Sequence, residues 1–446
     1  MNEIEAVGAE IEGEGGAGGL AAVEPSERPW VFGLLIAPSA VIGFGLVQGA
    51  LSFLMRRQGV SVERIGAVVS LLILPQTLYF LWSPVTDFLM RRRTWLIVGA
   101  TCAGLLLAVA FHAKNLGSPG AVAVMFLGVC CGQLVVSSCG GMMGALRQER
   151  SRRVASSYYQ GSSLGLGGLA VFGLSILVTQ MGQGLLGWVV AAMIILPSLA
   201  ALAAPQQGLI VDDGLGETLR RVWGEFKATF FCWRAVPYTL TLLFPIASGA
   251  SSGLLPGVAQ DYGVNGHQMA WMNGLAGALL MALGAMAATL IPARIRASVG
   301  YLLVGVVNAA TLGILWLGPL RPSTYYVGVG LYLFTIGTAN AMFTAVILEF
   351  LGRSGKSGSG RYSIINSMGN VPVVYMTALA GWGDKTWGVR GLVGTDAVLG
   401  VVAAVVLLAW FLTKGRVKAA EMVLLGGAGV SGSEVDLRVT VVVKRR

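Results

Sequence analysis

Neutral polar side chains that could bind a small solute are scattered through long apolar runs of this 446-residue sequence. Amides and hydroxyls exchange hydrogen bonds with the hydroxyl, amide or aromatic groups of a ligand. Because hydrocarbon leaves such groups unpaired, we expect them to face the interior of a helical bundle, where they contact either a ligand or one another. The candidate binding residues are Gln48, Gln76, Tyr79, Gln133, Ser137, Asn273, Asn340, Asn366 and Asn370.

Two acidic residues fall within the apolar runs, Glu349 near the end of one and Asp396 near the start of another. Ionisable groups at membrane depth are costly and commonly functional. Both residues lie close enough to the ends of their runs to reach the interface, so solvated positions are the simpler interpretation, above all for Asp396. If transport is coupled to protons, Glu349 is the first candidate, because a partly desolvated carboxyl in a cavity is suited to proton exchange.

Twelve apolar runs carry these residues, each long enough for a helix across a bilayer core of about 30 Å. The sequence is 55% hydrophobic and 12% charged, with a mean hydropathy of +0.73, which excludes a soluble enzyme, a fibrous protein and a disordered chain. Backbone groups in lipid must be paired internally, so the runs are predicted to be helices. Numbered as spans 1 to 12, they are 31–54, 67–84, 95–113, 121–145, 157–180, 185–204, 237–256, 270–292, 299–318, 324–350, 362–381 and 395–413.

The distribution of basic residues predicts the orientation of these spans. With the N-terminus in the cytosol, 24 of the 31 Lys and Arg residues lie on the cytosolic side, as the positive-inside rule requires. The expected organisation is a flexible cytosolic tail at 1–29, six-helix bundles at 30–204 and 237–413, a cytosolic amphipathic linker at 205–236 and a cytosolic tail at 414–446. Both termini are then cytosolic, in a multi-pass protein of the cytoplasmic membrane.

Two six-helix halves joined by a long cytosolic linker resemble the major facilitator fold, in which the solute binds at the midplane between the halves. The loop between spans 2 and 3 strengthens this resemblance, since residues 80–87 are FLWSPVTD and residues 91–95 are RRRTW. An acid followed by an arginine cluster at this loop is similar to the major facilitator loop motif. The resemblance implies a gating role for Asp87, Arg91, Arg92 and Arg93, in which the acid binds the N-terminus of a neighbouring helix.

A purely topological role of the three arginines, holding the loop inside, is the alternative to gating. The glycines of the family motif are missing, as is its basic residue directly after the acid. The corresponding loop of the second half, residues 292–296, has no acid. Any such gate is therefore one-sided.

A narrower resemblance rests on the same FLWSPVTD and RRRTW segments together with YSIINSMGNVP at 362–372. Both are similar to the branch that contains muropeptide permeases, acetyl-CoA transporters and iron-siderophore permeases. The resemblance implies import of a small organic solute by alternating access. Muropeptide permeases carry acidic residues near the end of span 4, where this chain has SSCGG at 137–141. Because no Lys or Arg lies mid-membrane, a neutral or zwitterionic solute, muropeptide-like or siderophore-like, fits better than a strongly anionic one such as acetyl-CoA.

Other functional classes have less support in the sequence. A lipid flippase or an acyl-CoA transporter on the same fold is the main alternative, since the inner arginine clusters could form a lateral entrance. A membrane-embedded enzyme is not expected, because HExxH and Walker A patterns are absent and the two His residues are isolated. No cofactor, metal or nucleic acid is expected. The expected partners are the solute, membrane lipids and protons, and the chain is expected to act as a monomer.

Overall fold

The computed structural model describes residues 28–79, 84–87, 90–144, 146, 149–204, 215–231, 236–292, 294–351 and 364–427. Helices and short turns make up these residues, and no strand occurs among them. The all-helical architecture predicted from the apolar runs is confirmed.

The first half contains six helices that match the predicted spans. They are span 1 (Val31–Arg57), span 2 (Val62–Thr77), span 3 (Arg92–Phe111), span 4 (Pro119–Gly144), span 5 (Glu149–Gln180) and span 6 (Gln183–Ser198). Span 3 packs on spans 4 and 6, and span 1 packs on span 5. Spans 1 and 5 approach closely at Gly45. A Cβ atom on this residue would lie only 2.5 Å from the Cβ of Ala170, so a larger side chain would not fit. Small residues permit such backbone contact in membrane helices.

In the second half, span 7 is broken rather than continuous. The helix Val236–Leu243 ends early, and short helical turns follow at Ala250–Gly253, Leu255–Val258 and Ala259–Tyr262. Two residues between these pieces have positive φ, Ala247 at 45° and Gly249 at 76°. A positive φ is rare for a residue with a side chain, so the break is a defined feature of the backbone.

The remaining spans of the second half are span 8 (Gly266–Leu290), span 9 (Ala297–Leu317), span 10 (Pro322–Leu351) and the continuous helical stretch Val371–Gly427. A reversal at Trp387 and Gly388 divides that stretch into spans 11 and 12, with Gly388 at φ 64° and ψ −162°. Gly383 and Gly391 pack against each other across this reversal, which brings the two spans together as a hairpin. Span 12 therefore begins near residue 389, not at the predicted residue 395.

Among the described residues, nine helices are long and apolar enough to cross a membrane. One of them, Ile364–Phe411, contains the reversal and covers two predicted spans. The nine exclude span 2, whose described helix has only 16 residues, and the broken span 7. The chain is therefore a multi-pass membrane protein, and the count of twelve spans stays a prediction.

The two halves meet along three pairs of helices, span 2 with span 11, span 5 with span 8, and span 1 with the broken span 7. Gly66 lies against Gly381 in the first pair, and Gly168 lies against Ala278 in the second. The amphipathic linker contributes the helix Leu215–Phe230, which contacts the turn Pro84–Asp87. A cavity remains between the halves.

Candidate functional site

The cavity between the halves has a volume of about 150 Å³. Spans 1, 2 and 5 form its wall on one side, and spans 7, 8, 10 and 11 form it on the other. Five predicted binding residues line it, namely Gln48, Gln76, Asn273, Asn340 and Asn370. Both halves thus contribute amides, so one ligand in this space would contact both.

A second cavity of about 150 Å³ adjoins the first within the second half. Ser248, Asn340 and Asn370 line both cavities, and Asn366 lines only the second. The remaining lining is largely apolar and includes Phe343. No charged side chain is among the described residues that line either cavity. A small number of polar groups on an apolar wall is typical of small-molecule sites.

Three predicted binding residues do not line these cavities. Gln133 and Ser137 are buried in span 4, and within the described structure the Ser137 hydroxyl has no hydrogen-bond partner. Tyr79 lies beside span 4, with its hydroxyl 3.6 Å from where a Cβ atom on Gly140 would stand. Asn273, although it lines the first cavity, also donates hydrogen bonds to the Tyr325 hydroxyl at 2.8 Å and the Met269 carbonyl at 3.2 Å. Part of its role is therefore to connect helices.

Ser248 and Ser252, which are not among the predicted binding residues, also line the first cavity. Their hydroxyls are placed there by the break in span 7. The segment ASGASSG at 247–253, between Pro245 and Pro256, is the signal that could have revealed them. Interrupted helices that line a cavity are common at transporter binding sites.

Glu349 is held in a cluster of hydrogen bonds two residues beyond the apolar segment Pro322–Ile347. Arg296 donates to its carboxylate at 3.0 Å, the Ser298 amide at 3.0 Å, the Ser298 hydroxyl at 2.8 Å and the Tyr238 hydroxyl at 3.1 Å. These four donors, one of them a cation, stabilise the charged form of the carboxylate. Glu349 lines neither of the two central cavities.

Asp396 is buried, with an exposed fraction of only 4%, where a solvated end of the span was expected. The physical reason is the position of the chain reversal. Span 12 begins near residue 389, so Asp396 lies about two turns inside the helix. Its carboxylate accepts hydrogen bonds from the Ser251 hydroxyl at 2.6 Å, the Ser251 amide at 3.2 Å and the Ser248 hydroxyl at 3.2 Å.

The predicted gating residues are described only in part. Asp87 ends the short turn Pro84–Asp87, and its side chain lies outside the described residues. Arg91 is exposed and immediately precedes span 3. Arg92 donates a hydrogen bond of 2.7 Å to the Gly141 carbonyl of span 4, and Arg93 is half-buried. The described contact of Arg92 therefore lies within the first half.

At the opposite end of the bundle, a described contact joins the two halves, since Lys385 forms an ion pair of 2.9 Å with Glu63. Nearer the cavities, the Ser70 hydroxyl donates a hydrogen bond of 2.6 Å to the Val374 carbonyl. In the predicted topology this end faces outside. The cavities extend from these contacts towards Asn366, at the start of span 11.

Comparison with known proteins identifies the fold. No protein-family model matches the chain, and no curated relative matches it. Solved structures do match. A nucleoside transporter, NupG, is 15% identical with a TM-score of 0.63, covering 86% of this chain and 99% of the transporter. A D-xylose–proton symporter is 13% identical with a TM-score of 0.63, covering 85% of this chain and 95% of the symporter.

A POT family transporter in complex with 5-aminolevulinic acid is 10% identical with a TM-score of 0.63. That match covers 87% of this chain and 96% of the transporter. At these identities the similarity concerns the fold alone. The chain has the fold of these membrane transporters, which confirms the predicted fold class.

Proposed function

We propose that this protein is a secondary transporter that moves a neutral or zwitterionic small organic solute across the cytoplasmic membrane by alternating access. The observation that carries the proposal is the cavity lined by amides from both halves, Gln48 and Gln76 from one and Asn340 and Asn370 from the other. A solute held between them loses contacts with one half whenever the halves move apart. Its binding is therefore linked to the conformation of the protein.

The contacts at one end of the bundle support this mechanism. The Lys385–Glu63 pair and the close approach of Gly66 and Gly381 join the halves on one side of the cavity. Alternating access requires these contacts to break when that end opens. We propose the gating role of Asp87, Arg91, Arg92 and Arg93 for the other end, with both termini cytosolic and the chain acting as a monomer.

The solute class follows from the lining of the cavities. Without a charged residue in the described lining, a strongly anionic solute has no partner, which disfavours an acyl-CoA substrate. Muropeptide-like and siderophore-like solutes stay within the proposal because of the sequence resemblance. Such molecules exceed the cavity of about 150 Å³, so they would need a more open conformation than the one described. Nucleosides, pentoses and small amino acids, the ligand classes of the structural neighbours, are of a size closer to the cavity.

Glu349 was the first candidate for proton coupling. Its ion pair with Arg296 and its hydrogen bonds to Ser298 and Tyr238 favour a role in fixing the ends of spans 7, 9 and 10. A carboxylate with this many donors stays charged at neutral pH, which suits a fixed contact better than a proton carrier.

A ligand screen followed by counterflow tests the proposed function. Purified protein is heated with uridine, D-xylose, 5-aminolevulinic acid, muramyl dipeptide, a ferric siderophore, acetyl-CoA or lipid, since a ligand of the folded state raises the unfolding temperature. The ligand that raises it is then followed in proteoliposomes by counterflow, which needs no coupling ion. Asn340→Ala and Asn370→Ala should each reduce the thermal shift at a given ligand concentration.

The matched control is Asn115→Ala, which removes an exposed amide between spans 3 and 4 and should preserve the shift. A shift produced by lipid or acetyl-CoA alone would favour the flippase or acyl-CoA alternative. A solute that is bound but never exchanged across the membrane would contradict transport.

A further inference from the structure

Between residues 243 and 251, the break in span 7 exposes backbone groups that side chains of three other spans satisfy. The Tyr375 hydroxyl of span 11 donates to the Leu243 carbonyl at 2.8 Å, and the Tyr301 hydroxyl of span 9 donates to the Ile246 carbonyl at 2.7 Å. Asp396 of span 12 accepts from the Ser251 amide at 3.2 Å. Within a membrane each such group must find an internal partner, so these side chains stabilise the broken conformation.

These three partners respond differently to pH. Tyrosine hydroxyls ordinarily titrate near pH 10 and so keep their proton throughout the physiological range. A carboxyl group can change its protonation state in a cell. Of the three side chains that hold the break, Asp396 is therefore the one whose hydrogen bonding a proton can change.

Among the described residues, no Lys, Arg or His supplies a positive charge that pairs with Asp396. The titratable groups that face it from neighbouring helices are Tyr332 of span 10 and Tyr375 of span 11. Span 7 faces it with the neutral residues Ser248 and Ser251. A buried acid without a cation is costly as a carboxylate and is a candidate functional group in a membrane protein.

A single side chain connects this carboxyl to the central cavity. Ser248 lines both cavities and also donates to the Asp396 carboxylate at 3.2 Å. Its hydroxyl oxygen accepts a hydrogen bond of 3.2 Å from the Ala250 amide. Ser248 stands between the two residues of positive φ, Ala247 and Gly249. A change at Asp396 is thus transmitted to the cavity wall through one hydroxyl and the bend of the backbone.

We propose that Asp396 is a proton-binding site whose occupancy controls the break in span 7 and hence the wall of the solute cavity. The proposal rests on the proposed transport function, for which it supplies the coupling group. A proton enters from the cavity and is bound by one carboxylate oxygen. That oxygen then donates a hydrogen bond instead of accepting one, so either Ser248 or Ser251 loses its acceptor. The segment between residues 244 and 253 becomes free to rearrange.

A metal cation is a poorer occupant of this site than a proton. The Ser251 amide points its N–H at the carboxylate, and an amide N–H repels a cation. Sodium ions should therefore not substitute for protons.

Infrared difference spectroscopy of the full chain in proteoliposomes tests proton binding directly and needs no solute. Spectra recorded between about pH 5 and about pH 9 should contain a carboxylic C=O stretching band that appears on acidification. Asp396→Asn should remove this band, while Glu349→Gln should keep it. Asp396→Glu should keep a band at a changed frequency, which preserves the test if the Asn variant does not fold. The proposal would be overturned if a folded Asp396→Asn protein kept every carboxylic band that the wild type shows on acidification. A band that responds to Na⁺ in place of protons would also overturn it.

Hydrogen–deuterium exchange tests the link to span 7. At one pH, Asp396→Asn should accelerate exchange of amides in 244–253 by about tenfold, because a stabilising hydrogen bond is lost there. Peptides from span 3 (Arg92–Phe111) serve as the internal control and should not change. Equal exchange rates in 244–253 would contradict control of the break by Asp396. If the band titrates but no solute is carried, the transport function fails and the proton site stands. If solute is carried but no band depends on Asp396, the proton site fails alone.

Discussion

Glu349 and Asp396 occupy similar places in the sequence, each near the end of an apolar run, but their surroundings in the fold differ. Glu349 lies at the end of its span, with 22% of its side chain exposed and Arg296 as its ion-pair partner. Asp396 is buried and is bound by neutral donors from a broken helix. The first arrangement satisfies a charge permanently, whereas the second leaves a charge that a proton can remove. Distance from the end of an apolar run therefore does not determine the role of an acid in a membrane helix.

The largest expected effect is on stability when Asp396 is truncated. Asp396→Ala leaves the Ser251 amide and two serine hydroxyls without their buried acceptor, so we expect a loss of about 3 kcal/mol. The measurement is thermal unfolding of purified protein in detergent. Val398→Ala, an exposed position on the same span, should change stability by less than about 0.5 kcal/mol. Equal effects of the two substitutions would mean that the hydrogen bonds of the Asp396 carboxylate do not stabilise the fold.

Truncating Glu349 should have a smaller effect. Arg296 is 60% exposed, so water takes over much of the lost interaction in Glu349→Ala, and we expect a loss of about 1 kcal/mol. Unfolding should also become less sensitive to salt, because the wild-type ion pair is partly screened. The same salt series on Asp396→Ala serves as the comparison and should retain the wild-type dependence. A larger destabilisation by Glu349→Ala than by Asp396→Ala would reverse the assignment of the two acids.

The contrast between the acids shows what the sequence can and cannot predict. Hydropathy predicted the spans because burial in lipid requires long apolar helices, and most cavity amides, such as Gln48 and Asn370, were found because hydrocarbon excludes them. The burial of Asp396 was missed because it depends on where the chain reverses. The reversal is visible in the backbone angles of Gly388, but one glycine among many in the sequence does not indicate it. Ser248 was missed because a serine in an apolar run has no distinguishing pattern until span 7 is seen to break. Gln133 and Ser137 were predicted to bind the solute because their spacing puts them on one face of a helix. The spacing does not tell which neighbouring helix or cavity that face contacts.

Truncating a neutral amide of the cavity should change affinity rather than stability. Asn340→Ala should weaken binding of the solute found in the screen by about tenfold, because one hydrogen bond at the cavity wall is lost. Gln133→Ala is the matched comparison, since this buried amide of span 4 does not line the cavities. Isothermal titration calorimetry measures both dissociation constants. If Gln133→Ala weakens binding as much as Asn340→Ala, the solute occupies a different space from the cavity between the halves.

The ion pair at the closed end provides the smallest expected effect and a second contrast with Glu349. Lys385 and Glu63 are 60% and 41% exposed, so their contribution is at most about 1 kcal/mol. The pair joins spans 2 and 11 across the two halves, unlike the Glu349 pair, which lies within the second half. Lys385→Ala should therefore raise the population of molecules that are open at that end by up to about fivefold. Spin-label distances between spans 2 and 11 measure this population.

Arg64→Ala is the control, because Arg64 donates hydrogen bonds to the Gly117 carbonyl inside the first half. This substitution should leave the distances unchanged. Restoration by Lys385→Arg would assign the effect to the ion pair, since Arg keeps the charge. Identical distances in Lys385→Ala and wild type would show that the ion pair is not needed to hold this end closed.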